Sequence, residues 1–137
     1  MKIVICGGMS FSKKMIGIAN RLKENNHEVI LPHDADKYAN GILVSESSQE
    51  STKNKIKDDL IRDYFKTINK SDAVLIVNFD KNGIKNYIGG NSFLELGFAY
   101  VLNKPVYLYN QIPDMLYTDE IKAMQPIVID GNLLKIK

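Results

Sequence analysis

Short apolar runs rich in β-branched residues alternate with amphipathic segments along the sequence, and this alternation constrains the fold more than any other feature. Runs such as Ile3-Val4-Ile5-Cys6 are typical of buried strands. Between these runs, apolar residues recur every three or four positions, which indicates helices. The pattern predicts strands over residues 3–6, 28–31, 73–77, 106–108 and 127–129, and helices over residues 11–23, 48–70, 92–102 and 118–124.

Strands that alternate with helices in this way form parallel sheets with helices on both faces. The sequence therefore predicts a single domain over residues 1–137, an open doubly wound α/β sheet of five strands, flavodoxin- or Rossmann-like, in the order 2-1-3-4-5. Residues 33–47 lack periodicity and predict a long loop with a short helical turn. Ser47 and Glu50 fit a capping box at the start of the helix that follows.

The predicted strand order also locates a candidate site. Ligands of such sheets bind beyond the carboxyl ends of the strands where the order reverses, here between strands one and three. The loops that meet there supply the candidate binding residues: Gly7, Gly8, Met9 and Ser10 after the first strand, Asn78 after the third strand, and Gly89, Gly90, Asn91 and Ser92 before and within the start of the third helix.

The glycine turn after the first strand, Gly7-Gly8-Met9-Ser10, has two interpretations. It precedes a helix N-terminus, where backbone N–H groups and the helix dipole favour an anion and missing side chains let a phosphate approach. It is neither a Walker loop nor a GxGxxG fingerprint. Glycine is also common in any strand-to-helix turn, so phosphate or sugar binding and a purely structural role are both open.

Glu95 also has two interpretations. Its carboxylate lies early in the third helix, at the same end of the sheet as the glycine turn, and the helix dipole there favours the ionised form. An ionised carboxylate suits a nucleophile or a stabiliser of a cationic transition state. Alternatively, Ser92 and Glu95 stand three residues apart and form a capping box. Gly97, inside the same helix, predicts a close approach by a neighbouring strand or a second subunit.

Composition excludes several classes of protein. The 137 residues are 45% hydrophobic and 25% charged, which is typical of a globular domain, and the net charge of +2 argues against a dedicated nucleic-acid binder. No apolar run reaches the roughly 18 residues of a membrane span. Met1-Lys2 leads directly into the first predicted strand without a signal peptide, so a cytoplasmic location is expected.

Cofactor and metal chemistry find little support in the sequence. His27 and His33 lack the spacing of metal ligands, and we expect no metal ion and no cofactor. A redox protein that binds FMN would need a Ser/Thr-rich phosphate loop, which is absent. The single Cys6 ends a buried strand with no activating base near it in the sequence, so we expect an inert packing residue.

Several of these motifs together resemble one known family. The first strand ends in Gly7-Gly8-Met9, a strand runs through residues 71–78, and the run Glu95-x-Gly97-x-Ala99 is followed by Asn103-Lys104-Pro105-Val106. This arrangement resembles the nucleoside 2-deoxyribosyltransferase-like superfamily, which includes deoxyribosyltransferases and deoxynucleoside 5'-monophosphate N-glycosidases. The resemblance covers residues 2–31 and 71–109.

The resemblance implies cleavage of an N-glycosidic bond in a nucleoside or nucleoside 5'-monophosphate. Glu95 would attack the anomeric carbon, and the glycosyl-enzyme would pass the sugar to water or to another base. The glycine turn would hold the sugar or its 5'-phosphate, with a hydroxyl contact from Ser92. Asp80 is a loose match to an acidic residue expected after the third strand and is the leading candidate to protonate the leaving base.

The sequence departs from the family pattern at two positions. Gly89 stands where the transferases carry an aspartate six residues before the nucleophile, and Val4 stands where the family has a tyrosine on the first strand. Tyr87 is a residue that could take the place of that tyrosine in space. The missing acid favours an alternative hypothesis, a non-catalytic module that binds a nucleotide or nucleotide sugar.

We also expect a homodimer. The third helix is apolar nearly all round, which predicts that it packs in the core, and the tail carries Tyr107, Tyr109, Ile112, Met115 and Tyr117. This is more apolar surface than one small sheet can cover. To exclude water from a reacting sugar, either residues 33–47 fold over the strand ends, or residues 109–117 arrive from a second subunit.

Overall fold

The computed structural model describes residues 1–42 and 48–137. The elements follow one another in the predicted alternation of strand and helix. In chain order they are β1 (Lys2–Cys6), a 3₁₀ turn (Met9–Phe11), α1 (Ser12–Glu24), β2 (Glu28–Ile30), α2 (Ala35–Ala39), α3 (Ser48–Lys57), α4 (Leu60–Asn69), β3 (Ala73–Ile76), α5 (Gly90–Val101), β4 (Val106–Leu108), α6 (Thr118–Ala123), β5 (Ile127–Val128) and a second 3₁₀ turn (Leu133–Lys135).

The five strands form one parallel sheet in the order β2-β1-β3-β4-β5. The register places Cys6, the last residue of β1, beside Ile76, the last residue of β3. This confirms the predicted fold class and strand order. The strand order reverses between β1 and β3, so their carboxyl ends lie side by side.

Helices cover both faces of the sheet because side chains alternate along each strand. Ile3 and Ile5 of β1 belong to the core layer under α1, whereas Val4 and Cys6 belong to the layer under α4, α5 and α6. The first layer includes Met15, Ile18, Leu22, Leu75, Val77, Tyr107 and Leu133, and the second includes Ile68, Val74, Ile76, Leu96, Ala99, Leu108 and Ile121.

The prediction of one long second helix over residues 48–70 is wrong. Two helices, α3 and α4, replace it, with a break at Asp58 and Asp59. Asp59 adopts a left-handed conformation with φ of 50°, which aspartate tolerates better than most residues, and its carboxylate pairs with Arg62 at 3.1 Å. The predicted helical turn between residues 33 and 47 is present as α2, while the capping residue Ser47 lies outside the described residues.

The prediction that α5 packs in the core is confirmed for one face of the helix only. Leu96 and Ala99 face the core, but Leu94 is 41% exposed and Val101 is 76% exposed. A helix packed on one side of a sheet buries only one stripe, even when its other face is apolar. The apolar tail, in contrast, is largely covered within the chain: Tyr107 is buried, while Tyr109, Ile112, Met115 and Tyr117 pack against the two core layers.

Candidate active site

The carboxyl ends of β1 and β3 bring two loops together, and we call this region, with the start of α5, the switch-point edge, comprising residues 6–10 and 77–95. The Val77 N–H donates to the Cys6 carbonyl at 2.8 Å and holds the two strand ends in register. The helix α5 begins from this edge, with Gly89 as its N-cap. The structure thus places the predicted loops at one edge of the sheet.

Glu95 and Cys6 form the most distinctive contact at this edge. The Cys6 Sγ–H donates to Glu95 Oε2 at 2.8 Å. Cys6 reaches α5 because it belongs to the core layer on that face of the sheet, as strand alternation requires. Cys6 is fully buried, whereas Glu95 is half-buried. Cys6 packs in the core as predicted, and its thiol also donates a hydrogen bond to the candidate nucleophile, which the sequence did not indicate.

The capping interpretation of Glu95 is also wrong. The helix begins at Gly90, so Ser92 is its third residue and Glu95 lies in its second turn. A capping-box carboxylate must sit at the third helical position to reach the N-cap N–H. The Glu95 carboxylate bonds to Cys6 instead. The capping role is thus removed for this residue, and the hydrogen bond from Cys6 is the side-chain contact that the described residues provide to its carboxylate.

Burial controls the charge of the pair. It raises the pKa of Glu95 to about 7, and the hydrogen bond from Cys6 acts in the opposite direction. Burial, followed by the charge of Glu95 and their hydrogen bond, raises the pKa of the Cys6 thiol well above its usual value. The helix dipole, the only influence considered from the sequence, favours the ionised form, and desolvation of Glu95 outweighs it. Near pH 7 the pair is a neutral thiol beside a carboxyl group that is about half ionised.

The two glycines of the first loop have different environments. A Cβ on Gly7 would lie 3.0 Å from Met15 Sδ and 3.1 Å from the carbonyl oxygen of Val77. A Cβ on Gly8 would meet only ordinary contacts, with Lys81 Nζ at 3.6 Å and Ser10 Oγ at 3.7 Å. Packing against β3 therefore explains Gly7, whereas Gly8 borders a space beside an ammonium group and a hydroxyl. No motif in the sequence indicated Lys81, which comes from the loop after β3.

These environments predict effects of different size for two matched substitutions. Gly7→Ala should lower the free energy of unfolding by about 1 to 3 kcal/mol, because the Val77 carbonyl belongs to the backbone and cannot easily move away. Gly8→Ala should change it by less than about 0.5 kcal/mol. Urea denaturation of both variants measures the difference. Equal stability of the two variants would contradict the steric role of Gly7.

Asn78 and Asp80 hold the loop after β3 together. Asn78 is fully buried, and its Nδ2 donates to the Asn110 and Gln111 carbonyls at 3.2 and 3.0 Å, while its Oδ1 accepts from the Asn110 N–H at 2.9 Å. Asp80 is exposed and its Oδ1 accepts from the Asn86 N–H at 2.9 Å. In the described part of the chain, neither side chain bonds to Glu95. Both predicted site residues thus have structural roles at the switch-point edge.

Aromatic side chains cluster around the start of α5. A Cβ on Gly89 would lie 3.4 Å from Tyr87 Cε1 and 3.9 Å from its hydroxyl. Phe93 stacks on Tyr117 with centroids 4.3 Å apart, and the Tyr117 hydroxyl donates to the Ile88 carbonyl. Burial, and secondarily Tyr87, raise the pKa of Tyr117, which keeps it a neutral phenol. We call Tyr87, Phe93 and Tyr117 the aromatic cluster.

The aromatic cluster was not predicted as a feature of the site. Tyr117 belongs to residues 109–117, one of the two segments considered for excluding water, and within this chain it packs on α5. The aromatic residues were visible in the sequence, but their convergence depends on how residues 109–117 return to α5. Gly90 and Asn91 are exposed in the first turn of α5, and Ser92 is buried.

Other features of the described residues lie apart from Glu95. A cavity of about 300 Å³ is bordered by α1 and residues 131–134, and another of about 440 Å³ by residues 85–86 and 110–114 with Asp130.

Residues 1–42 and 48–137 contain no cluster of three or more His, Cys, Asp or Glu side chains able to hold a metal ion. Within the same ranges, no helix has the length and apolar character needed to cross a membrane.

Comparison with known proteins supports the fold. The structure is similar to that of the CMP N-glycosidase BcmB from Clostridium botulinum, with a TM-score of 0.52 and 11% sequence identity over 99% of this chain and 98% of that chain. It is also similar, with a TM-score of 0.49 and 15% identity, to the flavoenzyme NAD(P)H:(acceptor) oxidoreductase FerB from Paracoccus denitrificans, over 93% of this chain and 74% of that chain. No family model and no curated protein matches the sequence. At 11% identity, the first similarity concerns the fold alone.

Proposed function

We propose that this chain cleaves the N-glycosidic bond of a nucleoside or nucleoside 5'-monophosphate, as an N-glycosidase or deoxyribosyltransferase of the nucleoside 2-deoxyribosyltransferase-like superfamily, with Glu95 as nucleophile. The observation that carries the proposal is the Glu95 carboxyl group, half-buried at the switch-point edge and held by Cys6. The similarity of the fold to a CMP N-glycosidase adds support. A pKa of about 7 leaves enough carboxylate for attack at neutral pH.

The reaction has two steps that balance with the groups of this chain and water. In the first step, an oxygen of ionised Glu95 bonds to the anomeric carbon as the C–N bond breaks, and the bonding electron pair leaves with the base. The base takes up a proton, for which exposed Asp80 is the proposed donor. In the second step, water or a second base attacks the anomeric carbon, gives a proton back to Asp80 and releases the Glu95 carboxylate, so the configuration at this carbon is retained.

The remaining groups of the switch-point edge are proposed to hold the substrate. Lys81 and Ser10 stand beside Gly8 before α1, an arrangement that favours the dianionic 5'-phosphate. Gly7 and Met9 complete this loop, and Gly89, Gly90, Asn91 and Ser92 line the start of α5. The aromatic cluster offers flat apolar rings against which a nucleobase can stack.

Base release should depend on pH through Glu95. The attacking oxygen must be ionised, so the rate should rise about tenfold per pH unit below about pH 7 and level off above it. The measurement is kcat for base release between about pH 5 and about pH 9. A rate that already reaches its plateau near pH 5 would show that the nucleophile has an ordinary carboxylate pKa and would contradict this prediction.

A substrate panel tests the proposed function. The protein is incubated with ribonucleosides, deoxynucleosides and their 5'-monophosphates, including cytidine 5'-monophosphate, and free base is followed by chromatography. A second set of reactions contains an added acceptor base, because a new nucleoside would indicate transfer instead of hydrolysis. Mass spectrometry of quenched reactions should find a glycosyl group on the peptide that contains Glu95. No base release from any member of the panel would contradict the proposal.

A non-catalytic binding module is the second candidate. It is favoured by Gly89 at the position of the family's aspartate and by the engagement of Asp80 with Asn86 instead of Glu95. A ligand at 100 times its dissociation constant stabilises a protein by about 2.7 kcal/mol. Thermal melts with each nucleotide therefore test this candidate: stabilisation without base release would support it, and unchanged melting throughout the panel would contradict it.

A homodimer through the exposed face of α5 is also proposed. Leu94 and Val101 are exposed on this helix, and in the described part of the chain no atom outside the helix backbone lies within 4 Å of a Cβ placed on Gly97. The close approach expected at Gly97 is thus absent within the chain, and a helix of a second copy could supply it.

Light scattering should give the mass of a dimer for the wild type and of a monomer for Val101→Glu, because a buried unpaired charge opposes association. Leu134→Glu is the matched control, since Leu134 is 70% exposed in the last 3₁₀ turn, away from α5. This variant should remain a dimer. A monomeric wild type at assay concentration would refute the proposal.

A further inference from the structure

The hydrogen bond between Cys6 and Glu95 is the contact that the proposed reaction leaves unexplained. It joins the last residue of β1 to the second turn of α5, across 89 positions of the sequence. Cys6 is 0% exposed, so a nucleotide cannot touch its sulfur. Its raised pKa keeps the thiol protonated at neutral pH, which excludes a thiolate nucleophile.

The two oxygens of Glu95 have different environments. Oε2 accepts the bond from Cys6. Among the described residues, Oε1 has no hydrogen-bond partner, and no fully buried side-chain oxygen lacks one, so Oε1 retains some solvent-accessible surface. The carboxyl group is therefore held at one oxygen, while the other oxygen has no partner. This asymmetry is what a nucleophile needs to meet a carbon atom in a defined direction.

We propose that Cys6 is a positioning residue: its thiol holds Oε2 of Glu95 and leaves Oε1 as the oxygen that attacks the anomeric carbon. This inference rests on the proposed function. Since a thiol is a weak donor, it orients the carboxylate while withdrawing little of its negative charge. A strong donor, such as a lysine or arginine, would stabilise the carboxylate and weaken it as a nucleophile.

Among the described side chains, Cys6 is the one placed to position the carboxyl group of Glu95. In the described part of the chain, no Lys, Arg or His forms an ion pair with Glu95, and Cys6 is the one side chain that bonds to it. The neighbours of Cys6 in its core layer are apolar, among them Val4, Ile76 and Leu96. The thiol therefore has no competing acceptor on these side chains, and its proton is directed to Glu95.

Two substitutions at Cys6 distinguish the effect of losing the hydrogen-bond donor from the effect of changing the core packing. Cys6→Ser keeps a donor at the same place, and Cys6→Val keeps apolar volume in a strand that favours β-branched residues but removes the donor. Thermal melts first establish that both variants are folded. The pKa of Glu95 is then measured by NMR of ¹³C-labelled glutamate carboxyl groups, with Glu95→Gln to assign the signal, and kcat and KM are measured on the best substrate of the panel.

The expected result is a difference between the two variants. Cys6→Val should raise the pKa of Glu95, move the acidic limb of the kcat profile to higher pH and lower kcat roughly 10- to 100-fold, with little change in KM. Cys6→Ser should keep kcat near that of the wild type, with a Glu95 pKa at or below the wild-type value. Equal kcat values for the two variants, or an unchanged Glu95 pKa in Cys6→Val, would overturn the proposal.

The NMR titration of Glu95 also distinguishes a wrong role for Cys6 from a wrong proposed function. If the wild type releases no base from any substrate, the proposed function fails, but the NMR titration still reports whether Cys6 orients and stabilises the carboxylate. A raised pKa in Cys6→Val with a normal value in Cys6→Ser would then support positioning of Glu95 for another ligand. An unchanged pKa in both variants would overturn the positioning role regardless of activity.

Discussion

Glu95→Gln should reduce base release roughly 1,000-fold or more, which corresponds to about 4 kcal/mol of transition-state stabilisation. The substitution replaces one carboxylate oxygen by an amide nitrogen and removes the negative charge of the proposed nucleophile. The glutamine oxygen can still accept the bond from Cys6, so the side chain should keep its place. The measurement is kcat for base release at about pH 8, where Glu95 of the wild type is mostly ionised.

Thermal melting is the control for this variant. The folded-state pKa of Glu95, about 7, is higher than its ordinary value of 4.5, so its contribution to stability is present at low pH and is lost as the pH rises toward and through 7. Glutamine removes this penalty, and the variant should melt at the same or a higher temperature than the wild type at about pH 8. Glu120→Gln, at an exposed position on α6, should leave base release unchanged. Base release by Glu95→Gln within tenfold of the wild type would exclude Glu95 as nucleophile.

Asn78→Ala should have the largest effect on stability among the switch-point residues. It removes the hydrogen bonds of a fully buried amide and leaves the Asn110 N–H and the Asn110 and Gln111 carbonyls without this partner. Buried polar groups that lose their partners cost about 1 to 3 kcal/mol each, partly recovered by water. We expect a loss of about 3 kcal/mol in the free energy of unfolding, or roughly 10 °C in Tm.

Asp80→Ala is the matched control for Asn78→Ala. Asp80 is exposed and accepts one hydrogen bond, from the Asn86 N–H, so its loss should cost less than about 1 kcal/mol. If Asp80 protonates the leaving base, this variant should still lose activity roughly 100-fold at nearly native stability. If Asn78→Ala melted like the wild type but no longer bound nucleotide, Asn78 would be a ligand contact and the structural role given to it here would be wrong.

The sheet could be predicted from the sequence because its signals are local. The β-branched runs, the helical periodicity and the turns between them are each readable within about ten residues, and the alternation then leaves few topologies. The break between α3 and α4 was missed because the apolar spacing through Ile56, Leu60 and Tyr64 continues across it. Periodicity does not report a left-handed residue such as Asp59 within the pattern.

The candidate site was only partly predictable, since its contacts join distant segments. The sequence placed Glu95 and the glycine turn at one edge, but the bond from Cys6 depends on which face of β1 meets α5. The pKa of Glu95 was expected to fall because the helix dipole is visible in the sequence, whereas the burial that raises it is not. Lys81 is an exposed residue of a loop, and only the folded chain shows that it lies beside Gly8.

The pairing of β1 with β3 affects when the candidate site can form during folding. Ile3 pairs with Ala73, so the central contact of the sheet closes a loop of about 70 residues and cannot form until most of the chain has been synthesised. The hydrogen bond from Cys6 to Glu95 also joins segments on either side of this long loop, so it too cannot form before the loop closes. Helices can therefore form early in refolding before the contact between Cys6 and Glu95 exists, and recovery of the proposed activity would report the pairing of β1 with β3.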